Sequence, residues 1–138
     1  MRWIFAGVLT LLLAGSALAC GCDRLSTKDR YAKARGIFIA RVSEVLPLKP
    51  SDTRDGVRAR IEASEVLKGN PDLIPFVESD VPRGPDCNLE LREGSSYLFV
   101  IFDSNFVSEC SSVRLTGSLG FPYQEWLTEY RALRDQSK

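Results

Sequence analysis

The chain has 138 residues, 44% of them hydrophobic and 26% charged, with 18 Lys+Arg against 18 Asp+Glu, four cysteines and no histidine. That is the profile of an ordinary globular chain, and its even charge balance lacks the basic face that nucleic acid requires. Without histidine there is no Ser-His-Asp or Cys-His catalysis, no His-bearing zinc enzyme site and no imidazole pH switch.

Residues 1–19 read as a secretory signal. Met1-Arg2 places one positive charge ahead of an apolar run from Trp3 to Leu13, and small residues follow, ending in Ala17-Leu18-Ala19. This is the n-region, h-region and A-x-A pattern of a cleaved export signal. The run is short for a transmembrane helix, and no later apolar stretch of about 18 residues occurs. Cleavage after Ala19 leaves residues 20–138, enough for one small domain. Bacterial lipoprotein signals usually carry Leu three residues before the acylated cysteine, where this chain has Ala17. The expectation is therefore secretion to the periplasm or the extracellular space, with membrane attachment only if Cys20 were lipid-anchored.

An exported chain meets an oxidising compartment, so Cys20, Cys22, Cys87 and Cys110 read first as two structural disulfides. Four cysteines allow three pairings. Cys20 with Cys22 would close a tight, strained ring, and the other two pairings both tie the terminus to the later half of the chain. Each long bridge is worth roughly 4 kcal/mol on the chain-entropy model. A redox pair would be Cys-x-x-Cys, one residue longer than Cys20-Gly21-Cys22. A four-thiolate zinc site would show two close pairs, which Cys87 and Cys110 do not form in sequence.

Along the rest of the chain, Ser26-Thr27-Lys28-Asp29 matches a capping box and predicts a short helix to Ala34 or Arg35. Tyr31, Ala32 and Ala34 would form its buried side, with Gly36 as its stop. Ile37 to Val42 is β-branched and aromatic, a buried first strand. Pro47, Pro50, Ser51, Asp52 and Asp55-Gly56 mark a loop. From Val57 to Ala63 the pattern alternates, with Val57, Ala59, Ile61 and Ala63 inward and Arg58, Arg60 and Glu62 outward. The parity slips at Ser64-Glu65, a β-bulge, and Val66 resumes the apolar face. Lys68-Gly69-Asn70-Pro71 predicts a turn, and Leu73 to Val77 a strand interrupted by Pro75. Residues 81–86 are loop, Glu93-Gly94 turns into a strand from Tyr97 to Phe102, and a last strand covers Phe106 to Leu115. From Pro122 the period becomes helical, with Tyr123, Trp126, Leu127, Tyr130 and Leu133 on one face. Five strands with a bulge, a short N-terminal helix and a C-terminal helix predict a small closed Greek-key barrel.

The carboxylate pairs Glu62/Glu65 and Glu78/Asp80 have no spacing that implies acid/base work, and Arg58/Arg60 read as an outward strand face. The chain is expected not to be an enzyme and to hold no cofactor or intrinsic metal.

A mature chain opening Cys20-Gly21-Cys22, with both cysteines bridged to distant partners, resembles the tissue inhibitors of metalloproteinases and the netrin-like module they share with other secreted proteins. Ile37 to Val42, Glu65-Val66-Leu67-Lys68-Gly69 and Glu93-Gly94-Ser95-Ser96-Tyr97-Leu98-Phe99-Val100 are similar to bacterial members of that group. The resemblance spans nearly all of residues 20–138. It implies a five-stranded OB-type barrel flanked by helices, with bridges Cys20–Cys87 and Cys22–Cys110. It further implies a secreted inhibitor whose Cys20 amine and carbonyl chelate the zinc of a target protease, flanked by contacts from Gly21, Arg83, Gly84, Pro85 and Asp86. Family inhibitors carry a small side chain such as Thr or Ser where this chain has Gly21. The partner implied is a zinc metalloprotease or, for a non-inhibitory netrin-like module, another exported protein.

Overall fold

Helix α1 (Thr27–Lys33) opens where the capping box places it: the Ser26 side chain accepts from the Asp29 amide at 3.1 Å. The Ser26 hydroxyl also donates to the Asp29 carboxylate at 2.7 Å. The computed structural model describes residues 21–49, 55–82, 87–115 and 123–138. After α1 come strands β1 (Gly36–Pro47) and β2 (Gly56–Lys68), a single 3-10 turn (Pro71–Leu73), β3 (Phe76–Asp80), β4 (Ser96–Ile101), β5 (Val113–Arg114) and helix α2 (Tyr123–Gln136). The strands form one antiparallel five-stranded sheet in the order β3-β2-β1-β4-β5.

β1 lies at the centre, paired to β2 on one side and β4 on the other. Its apolar run is unbroken rather than alternating because both of its faces are covered. Phe38, Ala40 and Val42 point into one core with Ala59, Ile61, Val77, Tyr97 and Phe99. Ile37 points the other way, into a second core with Ala34, Leu67, Leu98, Val100, Leu127 and Tyr130. That second core is roofed by the two helices, whose Tyr31 and Tyr130 rings stack at 6.3 Å. β4 splits its side chains the same way, Tyr97, Phe99 and Ile101 to the first core and Leu98 and Val100 to the second.

The β2 bulge falls where the parity slips: Ile39 faces Glu65 and Ala40 faces Ala63, leaving Ser64 as the extra residue. A second irregularity near Leu67 reverses the expected face, so Leu67 is buried under the helices while Val66 is exposed. Ala63 and Ala32, expected inside, are exposed as well. At the turn after β2, Gly69 has φ +80°, and a Cβ there would sit 2.4 Å from the Arg35 carbonyl oxygen, so only glycine fits.

β3 begins one residue after Pro75 instead of running through it, since proline cannot donate to the ladder. The long last strand also breaks up. Only Val113–Arg114 pairs as a strand, preceded by isolated bridges at Phe106 and Ser108 and a turn around Cys110. Asn105 and Val107 meet the edge of β3: the Glu78 amide donates to Asn105 O and the Val107 amide to Glu78 O, each at 2.8 Å, around a parallel bridge from Glu78 to Phe106. α2 presents its stripe as expected, with Leu127 and Tyr130 buried and Tyr123, Trp126 and Leu133 half-buried. Among the described residues no helix is long and apolar enough to cross a membrane. The signal reading of residues 1–19 and the placement of Pro122 at the helix start lie outside the described residues.

Candidate functional site

Residues 21–26 run ahead of α1 without secondary structure, and what positions them is chemistry rather than packing. Cys22 is bonded to Cys110, with Cα atoms 5.2 Å apart and a sequence separation of 88. This distance lies in the ordinary range for a disulfide. The resemblance implied this pair. Arg30, on the first turns of α1, supports the same connection: Nε donates to Leu25 O at 3.3 Å and Nη1 to Cys110 O at 2.9 Å. The same guanidinium lies 5.0 Å from the Trp126 ring centroid, so one side chain links the terminal segment, the Cys110 turn and α2.

The Cys110 turn is itself held firmly. The Ser111 and Ser112 amides donate back to Ser108 O at 3.1 and 2.9 Å, and the buried Ser112 hydroxyl accepts from the Val100 amide of β4 at 3.0 Å. Cys87 reaches this turn from the other side, its carbonyl accepting from the Glu109 amide at 2.9 Å while Asn88 bridges Ser108. The sulfurs of Cys22, Cys87 and Cys110 consequently lie within 4.8 Å of one another, all on half-buried residues. Such spacing could suit a thiolate metal set, but Cys22 and Cys110 are joined to each other and none of the described cysteines is a free thiol. The arrangement is a covalent clasp.

Beside the clasp opens a groove of about 670 Å³, bordered by Gly21, Cys22, Arg30, Lys33, Phe102 and Phe106. Asp23 and Asp103 also reach it, so both signs of charge meet two aromatic rings there. Gly21 is exposed, and a Cβ added to it would meet nothing within 4 Å. Of the residues expected to act, Gly21, Cys22, Cys87 and Cys110 are thus gathered at one end of the sheet. Cys20 and the contact loop Arg83, Gly84, Pro85 and Asp86 lie outside the described residues, and so does the pairing of Cys20 with Cys87.

Sequence reasoning missed Arg30, Lys33 and the two phenylalanines. Phe102 and Phe106 read as ends of strands, and nothing in spacing tells an arginine that ties a terminus from one that is merely solvated. Of the carboxylates noted in sequence, Glu65 and Glu78 have settled partners, whereas Asp80 Oδ1 is buried without a hydrogen-bond partner. Glu65 accepts from Arg131 at 2.7 and 2.9 Å and from Arg134 at 3.1 Å. Glu78 accepts from Arg58 at 2.6 and 2.9 Å. The hydrogen bond and charge of Arg131 hold the Glu65 carboxyl below the usual carboxylate range. Burial pushes the Tyr97 and Tyr130 phenols up. No protein-family model matches this sequence, and no curated protein matches it.

Proposed function

We propose that the chain is an exported inhibitor of zinc metalloproteases, similar to the tissue inhibitors of metalloproteinases, whose signal is removed after Ala19. The single observation that carries this reading is the Cys22–Cys110 bridge: the second cysteine of the terminal Cys-Gly-Cys is fastened to a distant turn beside an open groove. The sheet order and the parallel bridge from Glu78 on the edge strand β3 to Phe106, in the segment between β4 and β5, support an OB-type Greek-key barrel under the site.

The chemistry is that of a bidentate ligand. The α-amino nitrogen and carbonyl oxygen of Cys20 close a five-membered chelate on the protease zinc and displace its activated water. The amine binds unprotonated, and since a free α-amino group has a pKa of about 8, the proton competes only modestly near neutral pH. Fastening residue 22 two positions on removes ordering entropy from the binding step. Gly21 and residues 83–86 flank the chelate. The metal belongs to the protease, so the chain needs neither a cofactor nor histidine.

The test is an inhibition assay of the mature chain, its N-terminus verified by mass, against a panel of zinc endopeptidases. Adding one alanine ahead of Cys20 moves the chelating atoms and abolishes inhibition, whereas Gly21→Thr, with open space for its side chain, strengthens it. Equal inhibition by the extended protein would end this reading. The second reading, a netrin-like module that binds another exported protein, is favoured by Gly21, which offers no side chain to a specificity pocket. A diacylglyceryl thioether on Cys20 would occupy the sulfur that a bridge needs, a further acyl group on its nitrogen would block the amine, and the two masses together would decide for a lipid-anchored form of that module.

A further inference from the structure

We infer that Arg30 is the positioning residue of the terminal segment: its guanidinium fixes the course of residues 22–25, which the disulfide alone would leave free to swivel, and couples that course to helix α2. The disulfide joins Cys22 to Cys110 through a string of single bonds. It therefore sets where the chain passes but not the direction in which it leaves. Packing adds little, since no residue from 21 to 30 is buried and none before Thr27 belongs to a helix or strand. The Leu25 amide donates to Asp23 O at 2.9 Å, a bond local to the segment that ties it to no other element.

Arg30 supplies the second anchor. The cap at Ser26 places residue 30 one turn into α1, its amide donating to Ser26 O at 2.9 Å. A helical side chain leans toward the N-terminus of its helix, which carries the guanidinium back to Leu25. There Nε donates to Leu25 O at 3.3 Å and Nη1 to Cys110 O at 2.9 Å. Cys110 thus holds the segment twice, by its sulfur at Cys22 and by its carbonyl through Arg30 to Leu25. Residues 22–25 become one side of a closed loop, and two fixed points define a direction. The guanidinium carbon also lies over the Trp126 ring, 5.0 Å from its centroid, so α2 backs the fork.

The residue type matters. Lysine keeps the charge, but its single ammonium on a flexible stem lacks the planar fork that spans two carbonyls while stacking on an indole. A segment already ordered meets a partner without first losing its freedom, so Arg30 raises the affinity of contacts made by Gly21 and its neighbours. That consequence rests on the inhibitor reading; the positioning itself does not.

The experiment measures backbone nitrogen-15 relaxation on the oxidised chain and on its Arg30→Lys and Trp126→Leu variants, with the Cys22–Cys110 bridge confirmed in each by disulfide mapping. In the parent, order parameters at residues 22–25 should approach the rigid value of about 0.85, and in Arg30→Lys they should fall below about 0.6 while β1 and β4 keep theirs. Trp126→Leu should lower the same values by a smaller amount, although the change is made on α2. Unchanged order at residues 22–25 in Arg30→Lys would overturn the inference, and so would an equal loss on the central strands. If Arg30→Lys does not fold, Trp126→Leu decides by the same measure. Against a zinc endopeptidase that the parent inhibits, Arg30→Lys should inhibit about tenfold more weakly, and equal inhibition would overturn the binding consequence. A parent that inhibits none would end the inhibitor reading alone, and the relaxation data would still decide for or against Arg30.

Discussion

In the body of the sheet Phe38, Val42, Tyr97 and Phe99 are wholly withdrawn from water, whereas no residue between 21 and 30 is buried. The sheet is held by apolar surface stacked on both faces of β1. The terminal end has no such surface to bury, and a disulfide, the Arg30 guanidinium and the serine-rich turn at 108–112 hold it instead. The difference teaches where the chain can be altered independently. Packing energy is shared among many neighbours, while a covalent clasp concentrates its effect on one bond and leaves the groove beside it open.

The largest effect is expected in the body. Phe99 is fully buried and its ring stacks on Tyr97 with centroids 5.2 Å apart. Phe99→Ala should cost about 3–5 kcal/mol, from lost transfer energy and the cavity left behind. Guanidinium unfolding of the oxidised chain measures it, and disulfide mapping should still find Cys22 with Cys110. A loss below about 1 kcal/mol would mean that the first core is looser than its burial implies.

The reciprocal change is made at the clasp. The double substitution Cys22→Ser with Cys110→Ser should cost about 2–4 kcal/mol, less than the phenylalanine cavity. Its more telling readout is local. Far-ultraviolet circular dichroism should keep its sheet signal, while amide exchange quickens first at residues 22–26 and 108–112 and later, if at all, on β1 and β4. Equal quickening of the central strands would erase the distinction between the two regions.

How much of each region was legible in sequence follows from the same physics. The sheet body could be read because burial writes itself into residue type: the apolar run at Ile37–Val42, the alternation of β2 and the parity slip at Ser64 all reappear in the register. The exceptions are places where one residue changes the local geometry. The irregularity at Leu67 turns Val66 outward, and Pro75 delays β3. The last strand breaks because a bridge and a turn at Cys110 interrupt its ladder. At the terminal end the cysteines advertised a covalent role, and the resemblance gave the Cys22–Cys110 pairing, but the groove did not show. It is assembled from Phe102 and Phe106 in the segment that follows β4 and Arg30 and Lys33 on α1, which topology alone brings together.

The smallest expected effect lies between the two regions, where α2 meets β2. Arg131 grips Glu65 with two hydrogen bonds, at 2.9 and 2.7 Å, and Arg134 adds a third at 3.1 Å. Because these bonds favour the charged form, the carboxyl's folded pKa lies below its ordinary value of 4.5. The stabilisation is therefore fully present above that ordinary value and is lost as pH falls through the depressed folded one. Glu65→Gln keeps the shape and removes the charge. At neutral pH it should lower stability by no more than about 1 kcal/mol, the ceiling for an ion pair open to water and salt. Parallel unfolding titrations should show parent and variant converging as the pH is taken below the depressed value, and converging at neutral pH when salt is raised. A gap that survives acid unchanged would mean that Glu65 acts through packing of its side chain and not through its charge.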